Sequence, residues 1–465
     1  MHLYIMSLLI SAVPSHQSLS IRLDPSTNMV WGETTITVKG SGELHVDGVG
    51  NFTDLQDGER ITFEWQDNFQ DSVSAGERVG QIHNFSVDAH ISEDGVFLSD
   101  WAPWYPKPVD ENGSPYLRTM DLEVAPIEGW TFVASGNPVE GKWVTPRPVD
   151  GMALVGNKHV VASSTVELAS GVVEIAVHLA PEHETKIQYY LEAAKDYLEL
   201  YTPLLGAYPY DQFTIVENFF SSGFAYPGFT VLGPRVVGMA PKSLAPGYLD
   251  HELLHNWWGN GVYVDSSRGN WCEALTSYCT NYGRRALADG SEAARSYRRG
   301  ILNKVSLDPS LDNGALKDFG SADPQDGEID RFVGYDKGAF VFMMLEEVLN
   351  EGISKEANQS KIWQVLARFA RDNMGRAASW KDIQKAAEQQ YPNRPSGWLD
   401  SFFNQWVFEH NVPATSPELR AVPPQILEFD SGENWISIDP DYKYYRLFPK
   451  GQISPTIAGT LAGTT

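Results

Sequence analysis

The sequence predicts an α+β protein in which a β-rich N-terminal region precedes a mostly helical region. In the first 180 residues, apolar and polar residues alternate around Ile36 and Val38 and along 173–179, and turn residues recur at short intervals. From Glu182 the apolar spacing becomes helical, and one helix face carries Ile187, Tyr190, Leu191, Ala194, Tyr197 and Leu198. Helical patterns then dominate to about residue 410. Strands followed by a run of helices are typical of α+β proteins.

Changes in composition divide the chain into four predicted segments. Residues 1–16 form a possible signal peptide, residues 17–180 the β-rich N-terminal domain, and residues 181–415 the mostly helical domain. Residues 416–465 form a small C-terminal β segment or tail. The end of this segment, residues 454–465, is rich in Gly, Thr and Ala and is expected to be disordered.

The N-terminus carries an apolar run from Leu3 to Val13 that is too short to span a bilayer. It resembles the core of a signal peptide because small residues follow it, although no Lys or Arg precedes it. The alternative is a first β-strand. Since Leu19, Ile21 and Leu23 already predict a strand directly afterwards, we expect an exported protein, periplasmic or extracellular, with a cytoplasmic location as the alternative. No other stretch is long enough for a transmembrane helix.

Charge and cysteine content exclude several classes of protein. The formal net charge is −25, which argues against nucleic-acid binding and for a solvated acidic surface. Cys272 and Cys279 are the two cysteines. If both lie on one helix, seven residues separate them by about 10 Å along its axis, which exceeds disulfide reach. The sequence therefore predicts neither a disulfide framework nor a zinc finger.

The segment His251-Glu252-Leu253-Leu254-His255 predicts a metal site. Residues four apart lie on one helix face, so the two imidazoles can hold one zinc ion while Glu252 takes a proton from a neighbouring water molecule. The alternative is an ordinary helix with two surface histidines. A catalytic zinc needs a third protein ligand, and Glu273 is the candidate, on a second helix that follows a connection beginning near Gly259.

The segment His-Glu-Leu-Leu-His-Asn-Trp-Trp-Gly-Asn resembles the zinc helix of the membrane alanyl aminopeptidase family of gluzincin metallopeptidases. The resemblance implies a thermolysin-like catalytic domain over residues 181–415 and one zinc ion per chain, held by His251, His255 and Glu273. The family has eighteen residues between the second histidine and the ligand glutamate. This chain has seventeen, because Trp-Cys-Glu stands where the family has Trp-Leu-Asn-Glu.

A second block, Tyr335-Asp336-Lys337-Gly338-Ala339, is similar to the family's Tyr-x-Lys-Gly-Ala segment. The resemblance implies that the Tyr335 hydroxyl stabilises the oxyanion formed when water adds to a peptide carbonyl. The alternative is a structural tyrosine. Looser matches at residues 208–216 and 404–413 extend the resemblance over about residues 180 to 415.

The resemblance breaks at the family's Gly-x-Met-Glu-Asn segment, whose glutamate holds the free amino terminus of the substrate. Aligned on Pro227-Gly228, that glutamate position is Ala225, and its neighbour Tyr226 also lacks a carboxylate. An ammonium ion buried without a counter-charge costs several kcal/mol. Glu217 is the nearest candidate replacement, although it can simply end a strand.

An aromatic segment at residues 100–106 also differs from the family. It is predicted either to line a substrate cleft or to pack in the core.

The sequence thus predicts a zinc metallopeptidase that resembles an aminopeptidase and acts on peptide or protein substrates, with an unknown oligomeric state. One alternative is a zinc peptidase that cleaves internal bonds or blocked peptides. Another is a non-catalytic peptide-binding protein that keeps the fold. The presence of Glu252 and Tyr335 weighs against the second alternative.

Overall fold

A computed structural model describes residues 12–69, 89–100, 102–221, 223–320, 329–351, 356–410, 428–429, 436–437 and 441–445. The core of the predicted signal peptide, most of the C-terminal segment and the predicted disordered tail lie outside the described residues. None of the described helices is long and apolar enough to cross a membrane.

The described strands occur mainly in the N-terminal half, as the alternating pattern predicts. They are β1 Val13–Asp24, β2 Met29–Lys39, β3 Gly42–Asp47, β4 Gly50–Leu55, β5 Arg60–Asn68, β6 Ala89–Ser92, β7 Gly95–Leu98, β8 Lys107–Val109, β9 Thr119–Val124, β10 Thr131–Ala134, β11 Asn137–Val139, β12 Lys142–Val144, β13 Leu154–Asn157, β14 Val160–Leu168, β15 Gly171–Leu179, β16 Gln212–Glu217, β17 Gly223–Tyr226, β18 Phe229–Leu232, β19 Tyr263–Val264, β20 Ala377–Ala378, β21 Glu428–Phe429 and β22 Ile436–Ser437.

A 3-10 helix, Pro181–Lys186, follows the N-terminal strands, and the described α-helices begin at residue 187. The α-helices are α1 Ile187–Leu205, α2 Pro234–Gly238, α3 Leu249–Leu254, α4 Cys272–Ser277, α5 Arg284–Ala288, α6 Gly290–Leu307, α7 Gly338–Leu349, α8 Lys361–Asn373, α9 Trp380–Glu388 and α10 Asp400–Phe403. Three π-helical segments lie between them, at Tyr278–Gly283, Val333–Lys337 and Asn404–Phe408.

The chain forms two compact units. The first comprises Met1–Glu199 and Tyr208–Ala245, and the second comprises Leu200–Ala207 and Pro246–Thr465. The second unit contains α3 to α10 and every element that carries the predicted zinc ligands.

Among the described residues, the first unit contains a six-stranded sheet of order β11-β12-β9-β1-β2-β5, a four-stranded sheet of order β10-β13-β7-β6 and a three-stranded sheet of order β4-β3-β8. A five-stranded mixed sheet has the order β14-β15-β16-β18-β17. In this sheet β15, β16 and β18 are parallel, and β14 and β17 form its two antiparallel edges.

The five-stranded sheet crosses the predicted domain boundary at residue 181. Strands β14 and β15 lie before that boundary, and β15 pairs directly with β16, which lies after it. The structural division therefore differs from the predicted one. The reason is that β15 and β16 are paired by backbone hydrogen bonds, although helix α1 lies between them in the sequence.

The first strand also begins earlier than predicted. Strand β1 starts at Val13 and pairs with β2 as far as Lys39, so the predicted boundary at residue 16 falls inside a paired strand. Ala12 is fully buried in a cluster with Ile36 and Val38. A signal peptide ending at residue 16 would remove part of this strand.

The aromatic segment near residue 104 packs in the core of the first unit. Trp104 is fully buried, and its indole donates to the carbonyl oxygen of Met152 at 3.1 Å. The Tyr105 hydroxyl accepts from the Met152 amide at 3.0 Å. Of the two predicted roles, core packing therefore holds for these two side chains.

Candidate active site

Helix α3 begins at a carboxylate that fixes its first turn. Asp250 is fully buried, and one of its oxygens accepts from the backbone amides of Gly247, Tyr248 and His251, at 2.7, 3.2 and 3.1 Å. Its other oxygen accepts from the Tyr201 hydroxyl at 3.2 Å and lies 3.7 Å from the Arg284 guanidinium. The carboxylate therefore locks the backbone directly before and at the first histidine.

The two histidines and Glu273 converge on one point. The Nε2 atom of His251 lies 3.2 Å from Oε2 of Glu273, and Nε2 of His255 lies 3.8 Å from the same oxygen. All three ligand atoms lie within 4.8 Å of one another. Donor atoms about 2.0 to 2.1 Å from a tetrahedral zinc ion lie about 3.3 Å apart, so this triangle of two nitrogens and one carboxylate oxygen fits zinc.

The orientation of His255 is fixed by the turn that follows helix α3. Its Nδ1 donates to the carbonyl oxygen of Trp258 at 3.0 Å, which leaves the lone pair of Nε2 directed at Glu273. The Cys272 thiol lies 3.0 Å from the same carbonyl. Gly259 adopts φ 104° in this turn, which favours glycine, and helix α3 already ends at Leu254 rather than at Gly259 as predicted.

Glu273 reaches the histidines because the seventeen-residue connection is anchored to the rest of the second unit. Strand β19 pairs with β20, and the Trp271 indole donates to the carbonyl oxygen of Ala378 at 2.7 Å. Asn270 then accepts from the amide of Cys272 at 2.8 Å at the start of α4. Glu273 therefore lies in the first turn of α4, on the second helix that the sequence predicts.

Both cysteines are free, as predicted, and both are buried. Cys272 precedes Glu273 directly and contacts the turn at Trp258, whereas Cys279 lies on the π-helical segment after α4. Burial raises the pKa of both thiols.

The two glutamates of the site have very different proton affinities. Burial raises the pKa of Glu252 to about 7, and the nearby charges of His255 and Arg331 oppose this shift. Burial also acts against ionisation of Glu273, but His255 and His251 outweigh it and lower the pKa of Glu273 to about 2. Glu273 is thus an ionised ligand, and Glu252 has the affinity of a proton acceptor near neutral pH.

Tyr335 lies on the π-helical segment Val333–Lys337, directly before α7. Its hydroxyl donates to the Glu273 carboxylate, and its ring stacks on His251 with centroids 6.1 Å apart. Burial raises the pKa of Tyr335, so the hydroxyl stays protonated and can donate a hydrogen bond. The structure thus brings all five predicted zinc and catalytic residues together.

The predicted substrate-binding residues lie in the first unit. Ala225 is on the edge strand β17, opposite Thr230, and Tyr226 is fully buried. Glu217 is 2% exposed, and its two carboxylate oxygens accept from His183 Nδ1 at 2.8 Å and from the Ala180 amide at 2.9 Å. This engagement weighs against Glu217 as an anchor for a substrate ammonium group.

A family model described as the peptidase family M1 domain matches residues 190–406. This range contains every residue of the site just described. The chain thus contains a peptidase family M1 domain. The match accounts for the helix, connection and second helix that carry the histidines and the glutamate, and it implies one catalytic zinc ion.

Part of the chain is also similar in sequence to two aminopeptidases. Rabbit (Oryctolagus cuniculus) aminopeptidase N is 27% identical over 192 residues, which is 39% of this chain and 19% of the rabbit protein. Chicken (Gallus gallus) aminopeptidase Ey is 26% identical over 175 residues, 36% of this chain and 17% of that protein. The match therefore spans only about a fifth of the length of these relatives.

The fold is similar to that of solved M1 structures. The M1 zinc metallopeptidase from Deinococcus radiodurans has a TM-score of 0.64 and 15% identity, and the likeness covers 87% of this chain and 95% of that one. Native yeast LTA4 hydrolase has a TM-score of 0.61 and 14% identity, covering 86% of this chain and 68% of that one. The α+β class, with strands first and helices afterwards, is confirmed by these likenesses.

Two residues of this M1 site escaped the sequence analysis. Asp250, which fixes the start of α3, has a weak signal as an acidic residue in the first turn of a helix. Arg331 lies four residues before Tyr335, and its guanidinium stacks on the Tyr335 ring, 4.2 Å from the centroid. The i, i+4 spacing within a helical pattern is the signal that could have identified it.

Proposed function

We propose that this M1 family member is a zinc-dependent peptidase that hydrolyses peptide bonds. The observation that carries the proposal is the convergence of His251, His255 and Glu273 beside Glu252 and Tyr335. A metal-binding site of purely structural type would have no use for a free carboxylate of raised pKa or for a tyrosine hydroxyl at the same point.

Each residue has a defined role in the proposed reaction. Zinc held by the two histidines and Glu273 would supply Lewis acidity and lower the pKa of water to about 7. Glu252 accepts the proton of the attacking water and delivers it to the leaving amine. The Tyr335 hydroxyl donates a hydrogen bond to the carbonyl oxygen of the substrate as negative charge develops there. Asp250 holds His251 in place through the helix start.

Similar proteins support peptides as the substrate class. Two curated relatives are named as aminopeptidases. A variant of the Deinococcus enzyme, with a TM-score of 0.64 and 14% identity, was solved with a Tyr-Ser-Ala substrate. These names describe those proteins, and a peptide substrate for this chain is part of the proposal.

Metal analysis tests the ligand set. The purified protein is expected to hold about one zinc ion per chain, and a chelator should abolish peptide hydrolysis. Glu273→Ala should lose most of the zinc, because one of three protein ligands is removed. The matched control is Asp265→Ala, since Asp265 caps a short turn through Ser267 and lies outside the triangle of donors. Equal zinc loss in both variants would show that the third ligand is wrongly assigned.

A second candidate function is cleavage of internal bonds or of blocked peptides. It is favoured by Ala225, which replaces the glutamate that anchors a free amino terminus in the family pattern. We therefore expect rates on free and N-acetylated peptides to agree within about tenfold, or about 1.4 kcal/mol. Cleavage restricted to single residues at free amino termini would refute this candidate.

Restoring a carboxylate at that position provides the matched variant. Ala225→Glu should raise the preference for a free amino terminus, because the ammonium group regains a counter-charge. Ala225→Gln, of similar size and without charge, is the control. If both variants shift the preference equally, the effect comes from side-chain size and the electrostatic explanation fails. A wild-type protein that binds peptides and cleaves none of them would favour the non-catalytic alternative.

A further inference from the structure

Arg331 is an exposed cation held beside the catalytic groups. It lies on the helical turn that leads into the segment Val333–Lys337, and its guanidinium stacks on the ring of Tyr335, 4.2 Å from the centroid. The positive charge acts on Tyr335 and also on Glu252. Because these two residues bracket the point where a peptide carbonyl reacts, the charge of Arg331 lies within reach of a bound substrate.

Arg331 differs in its partners from two other arginines of the second unit, Arg284 and Arg394. Arg284 pairs with Asp250, and Arg394 pairs with Glu351 at 2.8 Å. Within the part of the chain that the structure describes, Arg331 forms no ion pair, and its guanidinium lies on the aromatic face of Tyr335. Stacking fixes the plane of the guanidinium and leaves its N–H groups available to a ligand.

The positive charge of Arg331 stands out because the rest of the protein is strongly acidic. The protein carries a net charge of −25, and its site holds two glutamates beside the histidines. At the position where the family pattern binds a substrate cation, the chain has uncharged Ala225. Arg331 therefore offers a positive charge for recognition beside Tyr335 and Glu252.

We propose that Arg331 binds a carboxylate of the substrate and makes the protein selective for peptides that carry one close to the scissile bond. The proposal rests on the proposed peptidase function. A guanidinium offers two parallel N–H donors that match the two oxygens of a carboxylate, and such a bidentate pair adds geometric selectivity to its charge. Tyr335 would then both stabilise the oxyanion and hold the guanidinium in place.

Two kinds of peptide supply this carboxylate. One is a short peptide whose C-terminal α-carboxylate lies just beyond the cleaved bond. The other is a longer peptide with Asp or Glu at that place. The chemistry is shared, so substrate pairs can separate the two sources: free acid against C-terminal amide, and Asp or Glu against Asn or Gln.

The kinetic test uses these pairs on the zinc-loaded protein. Wild type should show kcat/KM at least about tenfold higher for the carboxylate member of one pair, mostly through KM. Arg331→Gln should lower kcat/KM for that member about tenfold and change the neutral member less than about threefold. Arg331→Lys, which keeps the charge without the planar fork, should retain part of the preference. Arg299→Gln is the control, because Arg299 is exposed on α6 and lies outside the site.

Equal losses on both members of each pair would overturn the proposal, because Arg331 would then act through Tyr335 or Glu252 and not on the substrate. Absence of any preference in the wild type would overturn it as well.

A binding measurement separates failure of this proposal from failure of the proposed function. Calorimetry with the Glu252→Gln protein and the same peptides needs no turnover. The carboxylate member should bind at least about tenfold more tightly than its amide, and adding Arg331→Gln should remove that difference. If the wild type hydrolyses no peptide but this difference is present, the peptidase proposal fails and the carboxylate site stands. If hydrolysis occurs and the difference is absent, the carboxylate site fails alone.

Discussion

At the scale of single residues, the candidate site shifts the pKa values of its two glutamates in opposite directions. Glu252 and Glu273 are both partly buried, and burial alone would raise both pKa values. The two imidazoles beside Glu273 reverse this effect and lower its pKa to about 2, whereas the pKa of Glu252 stays at about 7. When the pKa values of two neighbouring carboxyl groups differ in this way, one group suits the role of a charged ligand and the other that of a proton carrier.

This division predicts that metal binding and turnover can be separated. Glu252→Gln should keep zinc and lose nearly all turnover, because only the proton acceptor is removed. Tyr335→Phe should lower kcat by about 10²–10³ with little change in zinc content, as expected for one lost oxyanion donor. Metal analysis and steady-state kinetics on the same preparations provide the measurement. Full activity in Glu252→Gln would show that hydrolysis proceeds through another group.

The sequence was enough to identify the residues whose spacing is set by one helix or by a family motif. His251, Glu252 and His255 share one short helix, so their proximity follows from helix geometry alone. Glu273 required the assumption that a connection one residue shorter than the family's still delivers it. Asp250 was missed because its partner Arg284 comes to it only through tertiary packing. Arg331 was missed although its i, i+4 spacing to Tyr335 is a local signal.

At the scale of elements, the site depends on a close approach between two helical segments. A Cβ atom added at Gly338 would lie 2.4 Å from the Cβ of Ala274, so α7 and α4 meet where neither has a large side chain. Ala274 follows Glu273, and Gly338 lies three residues after Tyr335. This contact therefore sets the distance between the Tyr335 hydroxyl and the Glu273 carboxylate, and it gives a physical reason for glycine in the Lys-Gly-Ala segment.

Gly338→Ala is expected to destabilise the protein by about 1–3 kcal/mol, because the added methyl group overpacks this contact. It should also lower kcat, since Tyr335 and Glu273 are forced apart. The control is Gly300→Ala on α6, where nothing lies within 4 Å of the added Cβ and better helix propensity predicts a gain of about 0.5–1 kcal/mol. Urea unfolding and peptide kinetics measure both effects. An unchanged free energy of unfolding in Gly338→Ala would show that the two helices can move apart without destabilising the protein.

The order and type of elements were predictable, but their pairing was not. Alternation and helical periodicity predict mainly β strands before residue 180 and mainly helices after it, as found, although strands β16 to β20 lie between residues 212 and 378. The same patterns place strands β14 and β15 in the N-terminal domain, although they pair in one sheet with β16 to β18. Period-2 alternation reports which side of a strand is buried and carries no information on its neighbour. The π-helical segment that carries Tyr335 likewise has no local signature in its sequence.

At the scale of the whole molecule, a buried charge network joins distant segments of the second unit near the site. Lys337, two residues after Tyr335, is fully buried and pairs with Asp312 at 2.6 Å. Asp312 also accepts from the Tyr445 hydroxyl at 2.9 Å and lies 3.4 Å from Nε2 of His410. A buried lysine and carboxylate cost free energy unless each is paired, so the tyrosine helps to keep the Asp312 charge tolerable.

Tyr445 further packs its ring against Phe340 of α7 and against Trp406, with centroids 5.5 and 6.2 Å apart. Residues far along the chain thus support the helix that follows Tyr335. This support was outside the reach of the sequence analysis, which assigned residues 416–465 to a small β segment or tail. A single buried aromatic residue within a polar stretch carries no periodic signal.

Two substitutions at Tyr445 are expected to destabilise the second unit by different amounts. Tyr445→Phe removes the hydrogen bond to Asp312 and should cost about 1–3 kcal/mol, because a buried charged acceptor loses its donor. Tyr445→Ala also leaves a cavity between Phe340 and Trp406 and should cost about 3–5 kcal/mol. Leu307→Ala, at a side chain that is 88% exposed, is the control and should stay within about 0.5 kcal/mol of wild type. Urea unfolding of the three variants measures these differences. Equal unfolding midpoints for Tyr445→Ala and Leu307→Ala would contradict this expectation. They would show that the segment around residue 445 detaches readily from α7. The charge of Asp312 would then be balanced by Lys337 and His410 alone.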